Sequence, residues 1–485
     1  MEQKNTLDLV VKLCRTLAVQ KIDYCHWKSN TFLARSASGD NDLDVLVKRS
    51  HAQSFIEILN SLGFKEALLP RDEELPGVRN YYGYDQETGR LVHVHAHFQL
   101  ILGSDLSKNY HLPLEQVYIE SSTQGDLFRV PTPEFELMIL VIRMVLKHST
   151  WDSILIRHGQ LSKSERAELE DLSRAEILSK VDLTLLHLPG LNRCLFDLCL
   201  QSLLPGCPYW TRVRAGEQLQ QVLQTCARFP SWFDVIIKFS RRIWQPIQSR
   251  LFRQNPKNSF ANGGLFVAIV GGDGAGKTTM IEELFDWLSE TYEVRKLHMG
   301  KPAWSLTTTT IRGILKIGTL LGFYTFEGDV YEEAIQPHGY PWFIRTVLTA
   351  RDRYLTYIQA RKFSSNGIIV FCDRYLFPDF MEMDGPQCEK AIARSNKTNF
   401  FLNFLKNREK FYYQQIKLPD LLIVLKVNPE IAVQRKKDET ELSVRARSTE
   451  VWELDWKKLP AFEIDANRSK DETTSQVKKL VWEHL

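Results

Sequence analysis

Four groups of residues in this chain have side chains suited to chemistry. The first is GGDGAGKTT, residues 271–279. It fits the pattern Gly-x-x-x-x-Gly-Lys-Ser/Thr through Gly271, Gly276, Lys277 and Thr278. Such glycines let backbone N–H groups wrap a chain of phosphates, the lysine reaches the β and γ oxygens, and the hydroxyl binds Mg²⁺. The loop expected to hold the nucleotide is Gly271, Gly272, Asp273, Gly274, Ala275, Gly276, Lys277, Thr278 and Thr279. Asp273 is the odd member, a carboxylate in a loop built for anions.

The second group is GIIVFCDRY, residues 367–375. Its apolar run suits the fully buried strand of a parallel sheet. Asp373 then falls at the strand end, where it can hold Mg²⁺ or its waters, with the Arg374 guanidinium beside it. A carboxylate next to an arginine serves a reaction in which metal and phosphate are both held. The third group follows the strand-like DLLIVLKV (420–427): Arg435, Lys436, Lys437, Arg445 and Arg447. Together they could close over a polyphosphate as a lid.

The fourth group lies in the front half. In GDNDLDVLV (39–47), Asp42 and Asp44 are two apart on an expected strand, so both carboxylates share a face. Such a pair binds Mg²⁺ in two-metal nucleotidyl transfer. In VHVHAHFQL, His93, His95 and His97 also share a face. They could ligate zinc or form a hydrogen-bonded polar face.

A chain of 485 residues is long enough for two or three domains. Residues 1–150 mix strand and helix patterns, with strands expected at 43–47, 91–100 and 127–130 and a helix between the first two. Residues 151–262 are Leu-rich with helical spacing and end in a polar, Pro/Gly/Asn-rich linker, so a helical connector is expected. Residues 263–485 open with the buried-strand run LFVAIV and form the phosphate-loop domain. The class is α/β, with a C-terminal parallel sheet flanked by helices behind an N-terminal α+β domain. In WFDVIIKFSRRIWQPIQSRLFRQ, apolar residues interleave with Lys238, Arg241, Arg242, Arg250 and Arg253. A helix there is expected to pack on a neighbour with a solvated basic face, rather than lie on a membrane, and Pro246 should kink or divide it.

The net charge of +3 gives no reason to expect nucleic acid as a partner. Eight scattered cysteines with no Cys-x-x-Cys pair point to reduced thiols and a cytoplasmic setting. No run is apolar enough to span a bilayer, and the opening residues do not resemble a secretion signal. A homodimer is left open.

From FVAIVGGDGAGKTT, ARDRYLTYIQARKFSSNGIIVFCDRY and LPDLLIVLKVNPEIAVQRKKDE, in that order, residues 263–485 resemble the thymidylate kinase family of nucleotide kinases. The IDAN run (464–467) is similar to the family's last strand and following loop. The resemblance implies transfer of the ATP γ-phosphate to a nucleoside monophosphate, with ATP and Mg²⁺ as cofactors. It implies ATP and Mg²⁺ binding by Lys277 and Thr278, and metal and acceptor organisation by Asp373. It implies an acceptor site at Asp273, Arg353 and Arg374, and a lid with Arg435 and Arg445. The family's Arg-Glu-Pro-Gly-Gly type loop is replaced here by KLHMGKPAWSLTTTTIRG, with His298, Lys301 and Trp304 in the region. The acceptor is therefore dTMP, another nucleotide or a phosphorylated sugar. A phosphate-loop ATPase or switch is the alternative from another class.

Residues of about 20–148 resemble the nucleotidyltransferase superfamily, through the two carboxylates, the preceding YCHWKSN and the following VHVHAHFQL. The family's Gly-Ser pair is not evident, and a third carboxylate is not found in VHVHAH. An active transferase and an inactive scaffold both follow.

Overall fold

The computed structural model describes residues 6–70, 74–150, 154, 160–251, 257–321, 339–376, 385–395, 399–436 and 440–485. Lys437 and Arg253 lie outside them. The chain divides into two compact units, Met1–Pro256 and Lys257–Leu485.

In the first unit, helix α1 (Asp8–Val19) buries Leu9, Val10, Leu13, Cys14 and Leu17 on one stripe. Strands β1 (Tyr24–His26), β2 (Leu43–Val47), β3 (Lys65–Leu68), β4 (Val78–Tyr84) and β5 (Leu91–His97) follow, with α2 (Ala52–Ser61) between β2 and β3. They lie in the order β1-β2-β5-β4-β3. Only β2 and β5 are parallel, in a register that sets Asp44 opposite His95. The expected strand at 127–130 shrinks to Arg129–Val130, paired with Thr123–Gln124. Phe128 is buried in the core instead. Sequence periodicity does not reveal β4, because Asn80 and Gly83 break its apolar alternation. Gly83 is required there, since a Cβ would stand 2.6 Å from the Phe64 ring.

Helix α3 (Pro133–His148) buries twelve of its sixteen residues, so it is covered on nearly all sides. Around it lie α4 (Lys163–Leu172), α5 (Arg193–Leu203) and α6 (Tyr209–Val222), which share one hydrophobic core with it. Residues expected as a connector thus help to bury the front domain. Helix α7 (Ser231–Leu251) is continuous through Pro246 rather than divided there. Nor are all its cations solvated. Lys238 is buried against Asp234 at 2.8 Å, and Arg241 donates to the Leu106 carbonyl. One helix turn separates Lys238 from Asp234, so this i,i+4 pair satisfies the charge locally. Among the described residues no helix is long and apolar enough to cross a membrane.

In the second unit, strands β6 (Phe266–Gly271), β7 (Val294–His298), β8 (Ile369–Asp373), β9 (Leu421–Lys426) and β10 (Ala461–Asp465) form a sheet in the order β7-β8-β6-β9-β10. All four pairings are parallel. Helices α8 (Lys277–Ser289), α9 (Leu306–Leu320), α10 (Tyr340–Ser365), α11 (Phe400–Gln414), α12 (Pro429–Arg435), α13 (Glu441–Glu453) and α14 (Lys470–His484) accompany it. Apolar runs such as Phe266–Val270 and Ile369–Cys372 are buried throughout, as strands covered on both faces must be. Such sheets bind ligands beyond the carboxyl ends of their strands. The register sets both Ile269 and His298 opposite Asp373, so three strand ends converge on one edge.

Gly216 of α6 lies close against the backbone at the end of α3. A Cβ there would stand 2.2 Å from the Ser149 carbonyl oxygen. Gly216→Ala is expected to cost about 1–3 kcal/mol. Urea unfolding followed by circular dichroism would show a lower midpoint, and an unchanged midpoint would mean that α6 shifts without penalty.

Candidate active site

The loop after β6 turns through two left-handed glycines, Gly274 at φ 77° and Gly276 at φ 85°. Any L side chain is strained there. Gly274 is also crowded, because a Cβ would meet the Ala432 carbonyl oxygen at 2.6 Å. Gly276 is the N-cap of α8 and supplies no capping side chain. The first amides of α8 are thus left to an anion, and the helix dipole favours one. Lys277 folds back over the loop and donates to the carbonyl oxygens of Gly271 at 3.0 Å and Gly272 at 2.8 Å. Burial, with Arg374 nearby, pushes its ammonium down to about 8, against the pull of Asp273 and Asp373.

Thr278 Oγ1 donates to Asp373 Oδ2 at 3.2 Å, so the hydroxyl after the lysine meets the carboxylate at the end of β8. Asp373 Oδ1 is buried and has no hydrogen-bond partner among the described residues. A hydroxyl, a carboxylate and an unused buried oxygen fit Mg²⁺, which takes few protein ligands and keeps waters and phosphate oxygens for the rest. Arg374 adopts φ 63°, a conformation that costs a non-glycine residue about 1–3 kcal/mol.

Asp273, only 5% exposed, accepts from two arginines. Arg447 reaches it at 2.6 Å and Arg374 at 3.3 Å, and Ser448 Oγ donates to its backbone carbonyl at 2.9 Å. Burial opposes its ionisation, but the Arg447 hydrogen bond, with Lys277, Lys436 and Arg374 nearby, holds the carboxyl below its usual range. The odd residue of the loop therefore anchors α13 and the end of β8.

Arg353 on α10 approaches the far side of the loop after β7. It donates to the Met299 carbonyl at 3.2 Å and to the Tyr413 hydroxyl at 2.6 Å. Gly300 lies between the Arg374 and His298 side chains, where a Cβ would come within 2.8 and 2.9 Å of them. The Thr-rich start of α9 is tied to α10 by Asp352, which accepts from Ser305 Oγ at 2.8 Å and Thr308 Oγ1 at 3.0 Å. Trp304 is exposed, with the Arg312 guanidinium 4.3 Å over its ring.

These strand ends open on a cavity of about 1410 Å³ including its open mouth. Its walls include the loop from Asp273 to Thr279, with His298, Asp373, Arg374, Arg435 and Lys436. Arg353, Lys301, Arg445 and Arg447 are not among its walls. Arg435 donates to the Ala466 carbonyl at 2.9 Å. Arg445 instead pairs with Glu430 and with Glu441. Sequence reasoning missed the wall formed by Ala466, Arg468, Lys470, Thr473 and Thr474, although the IDAN run was the signal for it. Cations outnumber the two carboxylates on these walls, as a polyanion requires.

In the first unit the two carboxylates are separately engaged. Asp42 Oδ1 lies 2.7 Å from His93 Nδ1, whose Nε2 lies 2.9 Å from Asn80 Oδ1. Asp44 Oδ1 lies 2.8 Å from Lys28 Nζ, 3.1 Å from His95 Nδ1 and 3.8 Å from His97 Nε2. Burial opposes ionisation of Asp44, but Lys28 and the two imidazoles hold it well below the usual range. Burial, with His95 beside it, pushes the His97 imidazole down to about 3. In the KSN turn, the Ser29 amide donates to Glu168 and the Asn30 amide to Glu136. Burial lifts the Glu136 carboxyl to about 7. Two buried carboxylates thus accept from the amides of this turn.

No family model matches the chain. It is 26% identical over 213 residues to the uncharacterized ATP-binding protein YghS of Escherichia coli (strain K12), covering 42% of this chain and 87% of that protein. It is 26% identical over 233 residues to a probable thymidylate kinase of Staphylothermus marinus, covering 46% of this chain and 98% of that protein. Over 117 residues it is 35% identical to a thymidylate kinase of Trichodesmium erythraeum, covering 23% of this chain and 49% of that protein. Together with the loop and the strand-end carboxylate, these likenesses identify a P-loop, kinase-like region in this chain.

Proposed function

We propose that residues 263–485 are an ATP- and Mg²⁺-dependent phosphotransferase of the thymidylate kinase type. It would pass the γ-phosphoryl group to the phosphate of a nucleoside monophosphate, dTMP or a related nucleotide. The observation that carries this reading is the meeting of Lys277, the Thr278–Asp373 pair and Arg374 on one cavity wall.

An acceptor phosphate oxygen would attack the γ-phosphorus as the bond to the β-phosphate oxygen breaks, releasing ADP. The α8 amides and Lys277 would hold the β and γ oxygens. Mg²⁺, held by Thr278 and Asp373, would supply positive charge for the phosphates and the leaving group. Arg374 would place the acceptor phosphate, with Arg353 fixing the loop that carries Gly300. Arg435 would add charge from the other wall. The arginines on Asp273 are balanced by a carboxylate until phosphates compete for them.

A second reading, a phosphorylated-sugar or other small-molecule acceptor in activated-sugar metabolism, rests on the replacement of the family's Arg-Glu-Pro-Gly-Gly type loop by KLHMGKPAWSLTTTTIRG. For the first unit we propose a binding scaffold rather than a Mg²⁺-dependent nucleotidyltransferase. That reading is supported by the separate engagement of Asp42 and Asp44 and by the capped KSN turn.

The deciding experiment is ADP release measured against dTMP, other nucleoside monophosphates and sugar phosphates. Release that depends on a monophosphate is expected. Steady hydrolysis indifferent to every acceptor would establish an ATPase or switch instead. Lys277→Ala and Asp373→Asn should each lower acceptor-dependent release by about 100-fold or more, with the unfolding midpoint preserved.

The depressed Lys277 ammonium also predicts a proton effect. Near pH 8 the nucleotide-free amine is partly neutral, and bound phosphates raise its pKa. ATP binding should therefore take up protons near pH 8, and affinity should fall as pH rises above that value. Calorimetry in buffers of different ionisation heat measures the uptake, and proton release would contradict the assignment.

A further inference from the structure

We propose that Asp44, His95 and His97 form a site for a borderline divalent transition-metal ion of the zinc class. The three come from adjacent strands. Parallel pairing sets Asp44 of β2 opposite His95 of β5, and His97 lies two residues on, on the same face. One donor atom from each lies within 4.8 Å of the others. Asp44 Oδ1 is 3.1 Å from His95 Nδ1 and 3.8 Å from His97 Nε2. Tetrahedral zinc, with bonds of about 2.0–2.2 Å, separates neighbouring ligands by about 3.3–3.6 Å. The two distances to Asp44 Oδ1 lie within a few tenths of an ångström of that range, and the imidazoles must draw in until all three donors, now within 4.8 Å of one another, match it.

The observation that points to a ligand is His97 itself. It is 4% exposed, and among the described residues neither ring nitrogen has a hydrogen-bond partner, Nε2 standing 3.8 Å from Asp44 Oδ1. Buried polar groups are nearly always satisfied, and an unused imidazole is costly. Trp27 packs edge-on against it at 4.9 Å and closes one side. Two imidazoles and one carboxylate suit zinc-class ions, whereas Mg²⁺ and Ca²⁺ prefer oxygen alone. The expected triplet is thereby divided. His93 is held by Asp42 and Asn80 and stacks on Tyr82, so it stays outside the site. Three protein ligands leave one position for water or a bound anion.

Lys28 is the competitor. Its ammonium lies 2.8 Å from Asp44 Oδ1, where it supplies the positive charge the carboxylate needs. A metal ion must displace it, and that competition gives the test its sign.

The full chain, stripped with a chelator, is titrated with Zn²⁺ by calorimetry without nucleotide or Mg²⁺. One ion per chain is expected at this site, lost in His95→Gln and in His97→Gln. Lys28→Met should bind it at least about tenfold more tightly, because the competing charge is gone. Excess Mg²⁺ should not displace it. Absence of stoichiometric zinc in the unmodified chain, or binding that survives both histidine changes, would overturn the site. Lys28→Met decides the matter even where a histidine variant fails to fold: affinity unchanged or weakened in it also overturns the proposal.

Discussion

Parallel pairing of β6 with β8 sets Ile269 opposite Asp373, and most of the chemistry of the second unit depends on that register. A strand's side chains alternate, so a slip of one residue would turn Asp373 to the other face. With the register held, the carboxylate reaches Thr278, the second residue of α8. The next residue, Arg374, adopts a left-handed backbone, and its guanidinium reaches Asp273. The strain at Arg374 thus accompanies the placing of a carboxylate and a guanidinium in successive positions at a strand end, both on the wall of one cavity. Buried apolar packing on both faces of the sheet holds this register.

Asp273 manages the opposite problem. A site rich in cations repels itself unless something offsets the charge. A buried carboxylate accepting from Arg374 and Arg447 offsets part of it and fixes two guanidinium groups near the phosphate loop. Removing such a carboxylate would leave both cations poorly compensated. The lysine makes a similar compromise by donating to loop carbonyls. The cations around the loop are thus tied to its carbonyl oxygens and to Asp273.

The loop and the strand-end carboxylate were legible in the sequence because each is a contiguous stretch. GGDGAGKTT carries its own turn chemistry, and GIIVFCDRY carries its own burial pattern. The partners of Asp273 were not legible, because Arg447 lies 174 residues away along the chain. Nothing local signals that contact. Arg445 looked equivalent to Arg447, yet two residues along a helix face different directions, and Arg445 meets Glu430 and Glu441 instead. The short Arg129–Val130 strand and the long β4 were misjudged for a related reason. Tertiary packing of Phe128 and Gly83 outweighed the local pattern.

The first unit shows how one periodicity can yield two chemistries. Alternation puts Asp42 and Asp44 on one face of β2, which alone suggests a pair of hard-ion ligands. The same alternation puts His93, His95 and His97 on one face of the neighbouring strand. Parallel pairing then brings imidazoles beside carboxylates, and Asp42 is taken by His93 while Asp44 meets His95 and His97. A two-metal centre for Mg²⁺ requires carboxylates that converge on shared ions. Here each carboxylate faces nitrogen, so the donor set shifts from oxygen toward mixed nitrogen and oxygen. The identity of the residue on the adjacent strand, more than the Asp-x-Asp spacing, sets which ion this face can hold.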